Sequence, residues 1–94
     1  MHGLEVGQLV ISTAGRDKNK KFIVLCIIDS EYVYISDGTL RKVEGPKKKK
    51  IKHLKKLNYI SEDIRSKIQR DEKLSNNEIK KLISAVASHR EQEV

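Results

Sequence analysis

Tryptophan is absent from this 94-residue chain, and cysteine, proline, methionine and phenylalanine occur once each. A single cysteine excludes an internal disulfide and a zinc site built on several thiolates. No apolar run approaches the about 18 residues that a bilayer span needs. No secretory leader is expected either. Met1-His2-Gly3-Leu4-Glu5 has neither a basic segment nor an apolar stretch, so the expected compartment is the cytoplasm. Apolar residues are 37% of the chain, below the usual share of about 45–50%. A chain of this size buries only about 60–65% of its unfolded surface. It has material for one modest core and none for enclosing a large cofactor, and no cofactor is expected.

What the chain has in excess is positive charge, and the excess is local. Twenty Lys and Arg stand against thirteen Asp and Glu, a net charge of +7. Residues 1–60 hold 13 basic and 6 acidic residues, whereas residues 61–94 hold seven of each. Between Arg41 and Lys56 nine basic residues accompany a single acid, Glu44. Such a balance suits a polyanionic partner or plain solubility, and alone does not choose between them.

The apolar pattern changes near the same place. Glu5 to Ser12 is short and rich in β-branched residues, and Thr13 to Lys20 is a polar connection in which Gly15 and Asn19 can take positive φ. Phe22 to Ile28 is continuously apolar and reads as a buried strand. Tyr32-Val33-Tyr34-Ile35 alternates as a half-buried strand does. Asp37-Gly38 predicts a tight turn before a strand over 40–43, Gly45-Pro46 breaks the chain, and Ile51 to Leu54 predicts a last short strand. Four or five short strands in under 60 residues predict a small β-barrel, because closure removes exposed edges.

From Ser61 the period becomes helical. Ser61 is placed to cap a helix whose Ile60, Ile64 and Ile68 share one face. Ser75 and Glu78 have capping-box spacing, followed by Ile79, Leu82, Ile83 and Val86 on one stripe. The expected organisation is a barrel over 1–58 and a helical C-terminal extension over 59–94, with Arg90 to Val94 frayed.

Catalysis finds little support, and an enzyme is not expected. His2, His53 and His89 have no serine, cysteine and carboxylate partners at a recognisable spacing. Cys26, between Leu25 and Ile27, reads as a buried small hydrophobe. The five glycines are scattered as turn glycines are, and no ligand cluster suggests a metal. The lysines are more informative. Lys47 to Lys50, with Arg41, Lys42, Lys52, Lys55 and Lys56, form either a solvated loop or a phosphate-contacting surface. Lysine outnumbers arginine fifteen to five, which favours point-charge contacts over bidentate reading of base edges. Tyr32 and Tyr34 offer rings for base stacking, although this spacing on a strand more often serves packing.

Val6 to Val24 resembles the KOW motif of ribosomal proteins and transcription-elongation factors. Gly7, Gly15, Lys18 and Val24 match it, while Asn19 stands where that family usually has glycine. Asparagine is the next-best residue for positive φ. The similarity continues through Ile27 to Asp29, Val33 to Ile35, Asp37-Gly38 and the lysine-rich segment. Over roughly residues 4–57 the chain is similar to ribosomal protein fourteen of the eukaryotic and archaeal large subunit and to short bacterial KOW proteins. The resemblance implies an SH3-like barrel that binds structured RNA, ribosomal RNA foremost, with ribosomal proteins as further partners and no membrane. It implies RNA contacts at Arg16, Lys18, Lys20 and Lys21. The adaptor reading, in which barrel and helices bind protein, and a transcription-associated nucleic-acid-binding reading remain as alternatives.

Overall fold

The first half of strand β2 (Lys21–Ile27) is apolar on both faces because both are covered. The computed structural model describes residues 3–87. His2, His89 and the tail from Arg90 to Val94 lie outside the described residues. β2 is flanked by β1 (Gln8–Ser12) and β3 (Tyr32–Ser36), and the sheet extends to β4 (Lys47–Lys50) on one side and β5 (Leu54–Ile60) on the other. The order is β4-β3-β2-β1-β5, with every neighbouring pair antiparallel. A 3₁₀ turn at Ile51–His53 joins the two edge strands and brings them round toward each other. The result is a mainly β fold, a small SH3-like barrel followed by helices α1 (Glu62–Gln69) and α2 (Asn76–Ala87).

Instead of the one core expected, the apolar residues form two clusters, one on each side of the sheet. Inside the barrel Val10, Phe22, Val24, Val33 and Ile35 meet Leu4, with Ile27, Ile51 and Leu54 at the margin. On the outside Leu9, Ile23 and Leu57 meet Ile64 of α1 and Ile79 of α2. Alternation along β2 sends Phe22 and Val24 inward and Ile23 outward. The helices are set by the caps expected. Ser61 Oγ accepts from Ile64 N at 3.2 Å. Ser75 Oγ accepts from Glu78 N at 3.1 Å, while Glu78 Oε2 accepts from Ser75 N at 2.8 Å, a complete capping box. Lys67 of α1 donates to Glu78 of α2 at 2.8 Å. That hydrogen bond holds the Glu78 carboxyl below, and the Lys67 amine above, its ordinary range.

Three expectations need correction. Residues 40–43 form no strand. They belong to a loop in which Asp37 Oδ1 accepts from Thr39 N and Arg41 N at 2.9 Å each, leaving Leu40 69% exposed. The strand in this region is Lys47–Lys50, where no apolar alternation marks it. It is an edge strand with β3 as its ladder partner, a position where lysines also deter edge-to-edge pairing. Residues 51–53 make the 3₁₀ turn, and the last strand begins at Leu54. Cys26 is exposed rather than buried. The pairing of β2 with β3 slips by one residue between Val24 and Cys26, so Leu25 is extra. A one-residue slip reverses the faces that follow, turning Cys26 outward and Ile27 inward.

Two outcomes follow from this packing. A chain ended after Ile60 keeps the whole inner cluster but uncovers Leu9 and Ile23. It should retain a cooperative β-type unfolding transition at a lower midpoint, since burying Ile64 and Ile79 is worth about 1.5–3 kcal/mol each. Loss of all cooperativity would make the helices part of one folding unit. Gly38, at φ +76°, would place a Cβ 2.4 Å from Asn76 O, whereas a Cβ on Gly15, at φ +78°, would meet only Lys49 Nζ at 3.5 Å. Both alanine variants carry the positive-φ strain of about 1–2 kcal/mol. In urea titration Gly38→Ala should therefore be the more destabilised of the two, and equal midpoints would contradict the close approach.

Candidate nucleic-acid interface

The connection from β1 to β2 is a compact basic loop. Gly15 at φ 78° and Asn19 at φ 72° take the left-handed conformations expected of them. The turn is closed by Asn19 N donating to Ser12 O at 2.7 Å and Lys18 N donating to Gly15 O at 3.2 Å. Asp17 turns inward, its side chain 6% exposed, and Arg41 Nη2 meets its Oδ2 at 3.1 Å, with Nε at 3.3 Å on the same oxygen. Arg16, Lys18 and Lys20 are left exposed around this anchor.

Basic segments far apart in sequence meet at the root of this loop. Lys49 Nζ of β4 donates to Ala14 O at 3.1 Å. Thr13 N donates to His53 O at 2.9 Å, and Ser12 pairs with Leu54. The loop carrying Arg16 and Lys18, strand β4 and the segment carrying Lys52, Lys55 and Lys56 are thus joined. Lys52, Lys55 and Lys56 are exposed; Lys47, Lys49 and Lys50 are half-buried, and Lys48 is exposed.

The remaining predicted residues are placed differently. Lys21 is half-buried at the start of β2 opposite Ile11. Lys20 and Lys21 line an open groove with Asp37, Leu40 and Lys80 of α2. Lys42 is exposed in the loop that α2 holds through Val43 N donating to Asn76 Oδ1 at 2.8 Å. Asn76 Nδ2 also donates to Glu44 at 2.8 Å, which holds the Glu44 carboxyl below its ordinary range. Arg41, a candidate RNA contact, is also the partner of a buried carboxylate. Sequence reasoning passed over Lys80 because residues 61–94 are neutral as a whole. It also passed over Asp17, whose burial nothing in the polar loop announces. Among the described residues no three His, Cys, Asp or Glu side chains gather as a metal site, and no helix is long and apolar enough to cross a membrane.

Arg41→Gln should lower stability by about 1–3 kcal/mol, the penalty for a buried group that loses its charged partner. Lys42→Gln should stay within about 0.5 kcal/mol. Denaturant midpoints of the two variants give the comparison, and equal values would remove Arg41 from the fold's framework.

No protein-family model matches the chain. A match to a curated protein covers 57% of this chain and 56% of that protein, so the chain spans little more than half the length of the relative. Within the matched 56 residues the two are 36% identical, and the chain is similar to the large ribosomal subunit protein eL14 of Desulfurococcus amylolyticus.

Proposed function

We propose that this chain is a non-catalytic RNA-binding protein that acts with the ribosome in translation and takes structured RNA, ribosomal RNA foremost, on its basic loops and β4. The observation that carries the reading is the Lys49 hydrogen bond to Ala14 O at 3.1 Å. It joins the tetralysine strand to the first basic loop, so two charged segments form one surface on a rigid barrel. Similarity to a large-subunit ribosomal protein supports the same partner class. Lysines on a fixed scaffold suit RNA helices, whose recognition rests on shape and phosphate contacts more than on base edges. Arg16, Lys18 and Lys20 position the complex, and Lys47, Lys48, Lys50, Lys52, Lys55 and Lys56 add charge. Ribosomal proteins are the expected neighbours and the cytoplasm the expected place.

The adaptor reading has one observation of its own, Leu40, which is 69% exposed on the groove that the loops share with α2. Salt separates the two. Affinity for structured RNA should fall linearly on a log–log plot across roughly 50–200 mM salt, with a slope of about 0.7–0.9 per phosphate contacted. Changing Lys47, Lys48, Lys49 and Lys50 together to Gln should weaken binding and flatten the slope. Changing Arg16, Lys18, Lys20 and Lys21 to Gln should reduce the preference for one RNA over another more than the bulk affinity. Absence of salt-dependent RNA binding by the unaltered chain would sink the reading, and a protein contact that persists at high salt would favour the adaptor.

A further inference from the structure

Among the described residues the two helices cover the outer face of the sheet over β1, β5 and the first half of β2, and the outer cluster draws no residue from β3 or β4, the half left bare. The side chains on that bare half are Cys26, Tyr32, Tyr34, Lys48 and Lys50. Their arrangement follows from register. Tyr34 pairs with Lys48 and Tyr32 with Lys50, so all four project from the face opposite Val33 and Ile35. The extra residue in β2 sets Cys26 opposite Tyr34 on the other side. Cys26 is itself exposed there.

The two tyrosines differ. Lys48 Nζ lies 4.7 Å from the centre of the Tyr32 ring and Lys50 Nζ lies 6.0 Å away. Both amines are therefore held beside the aromatic face before any ligand arrives. Tyr34 is 37% exposed, belongs to neither apolar cluster and has no side-chain hydrogen-bond or ion-pair partner among the described residues. More than a third of the residue stays open to solvent, although it contributes to neither apolar cluster. Tyr34, with Lys48 directly across the ladder and two amines already held at the neighbouring Tyr32 ring, offers the combination used to hold single-stranded nucleic acid, a base on the ring and phosphates on the amines.

We propose that Tyr34, with Lys48 and Lys50, is a stacking site for an unpaired nucleotide of the RNA, adjoining through β4 the basic surface that takes the paired regions. The inference rests on the RNA-binding reading and gives that surface a preference for RNA with a loop or bulge. Because the chain has no tryptophan, Tyr34→Trp supplies a lone reporter at the site. The probes are an RNA hairpin with a short unpaired loop and a blunt duplex of the same stem. Emission from Tyr34→Trp should be quenched by the hairpin and not by the duplex. Tyr34→Val, which keeps a β-branched residue on the strand, should bind the hairpin about tenfold more weakly, within the range for one stacked base. Its duplex affinity should be unchanged. Equal hairpin affinity of Tyr34→Val and the unaltered chain would overturn the inference while leaving RNA binding in place, and would leave this face to a protein partner. Equal losses on hairpin and duplex would also overturn it, because stacking on an unpaired base acts on the hairpin alone. Failure of the unaltered chain to bind either RNA would overturn both readings.

Discussion

The central constraint is that β1 and the first half of β2 must bury both of their faces. Leu9 and Ile23 face outward and are as completely buried as Val10 and Phe22, which face inward. A barrel of this size can supply only the inner cover. The outer one has to come from elsewhere in the chain, and α1 and α2 provide it. Most other features serve that arrangement. Ser61 caps α1 where β5 ends, Asn76 ties α2 to the loop at Val43, and Gly38 lacks a side chain where α2 begins. A Cβ on Gly7 would likewise meet Ser61 O at 2.8 Å, so α1 too docks against bare backbone.

The barrel also has to absorb irregular pairing, and it does so with side chains. Between Gln8 and Val10 the pairing with β5 slips, and the buried Gln8 side chain donates to Leu57 O at 2.6 Å and Tyr59 O at 2.9 Å. Carbonyls that the ladder abandons are thereby satisfied, as buried polar groups must be. In β2 the slip at Leu25 changes which residues face out. That change separates the covered half of the sheet from the bare half, and so the structural surface from the candidate binding surface.

What the sequence disclosed and what it withheld follow from the range of each interaction. β1, β2, β3 and both helices were readable because their determinants are local: apolar runs, alternation and caps within a turn of one another. β4 was not readable. Four lysines have no apolar period, and their strand conformation comes from pairing with β3, which the intervening loop hides. Cys26 was misplaced because a bulge is a property of two strands together. Of the candidate site residues, Arg16, Lys18, Lys20, Lys42, Lys48, Lys52, Lys55 and Lys56 are exposed as a binding role requires. Arg41 was indistinguishable from its neighbours in sequence, since its partner Asp17 lies 24 residues away.

β4 has one further consequence. It is held by a ladder on one side only, and four like charges follow one another along it. Lysines on the same face of a strand repel across the short distance between alternate residues, and dissolved ions shield that repulsion. The same ions compete with a polyanion for those amines. Ionic strength therefore acts on this strand in opposite senses. It relaxes the edge of the sheet while weakening the edge's hold on any negatively charged partner, so the strand is best ordered by salt when it is least able to bind.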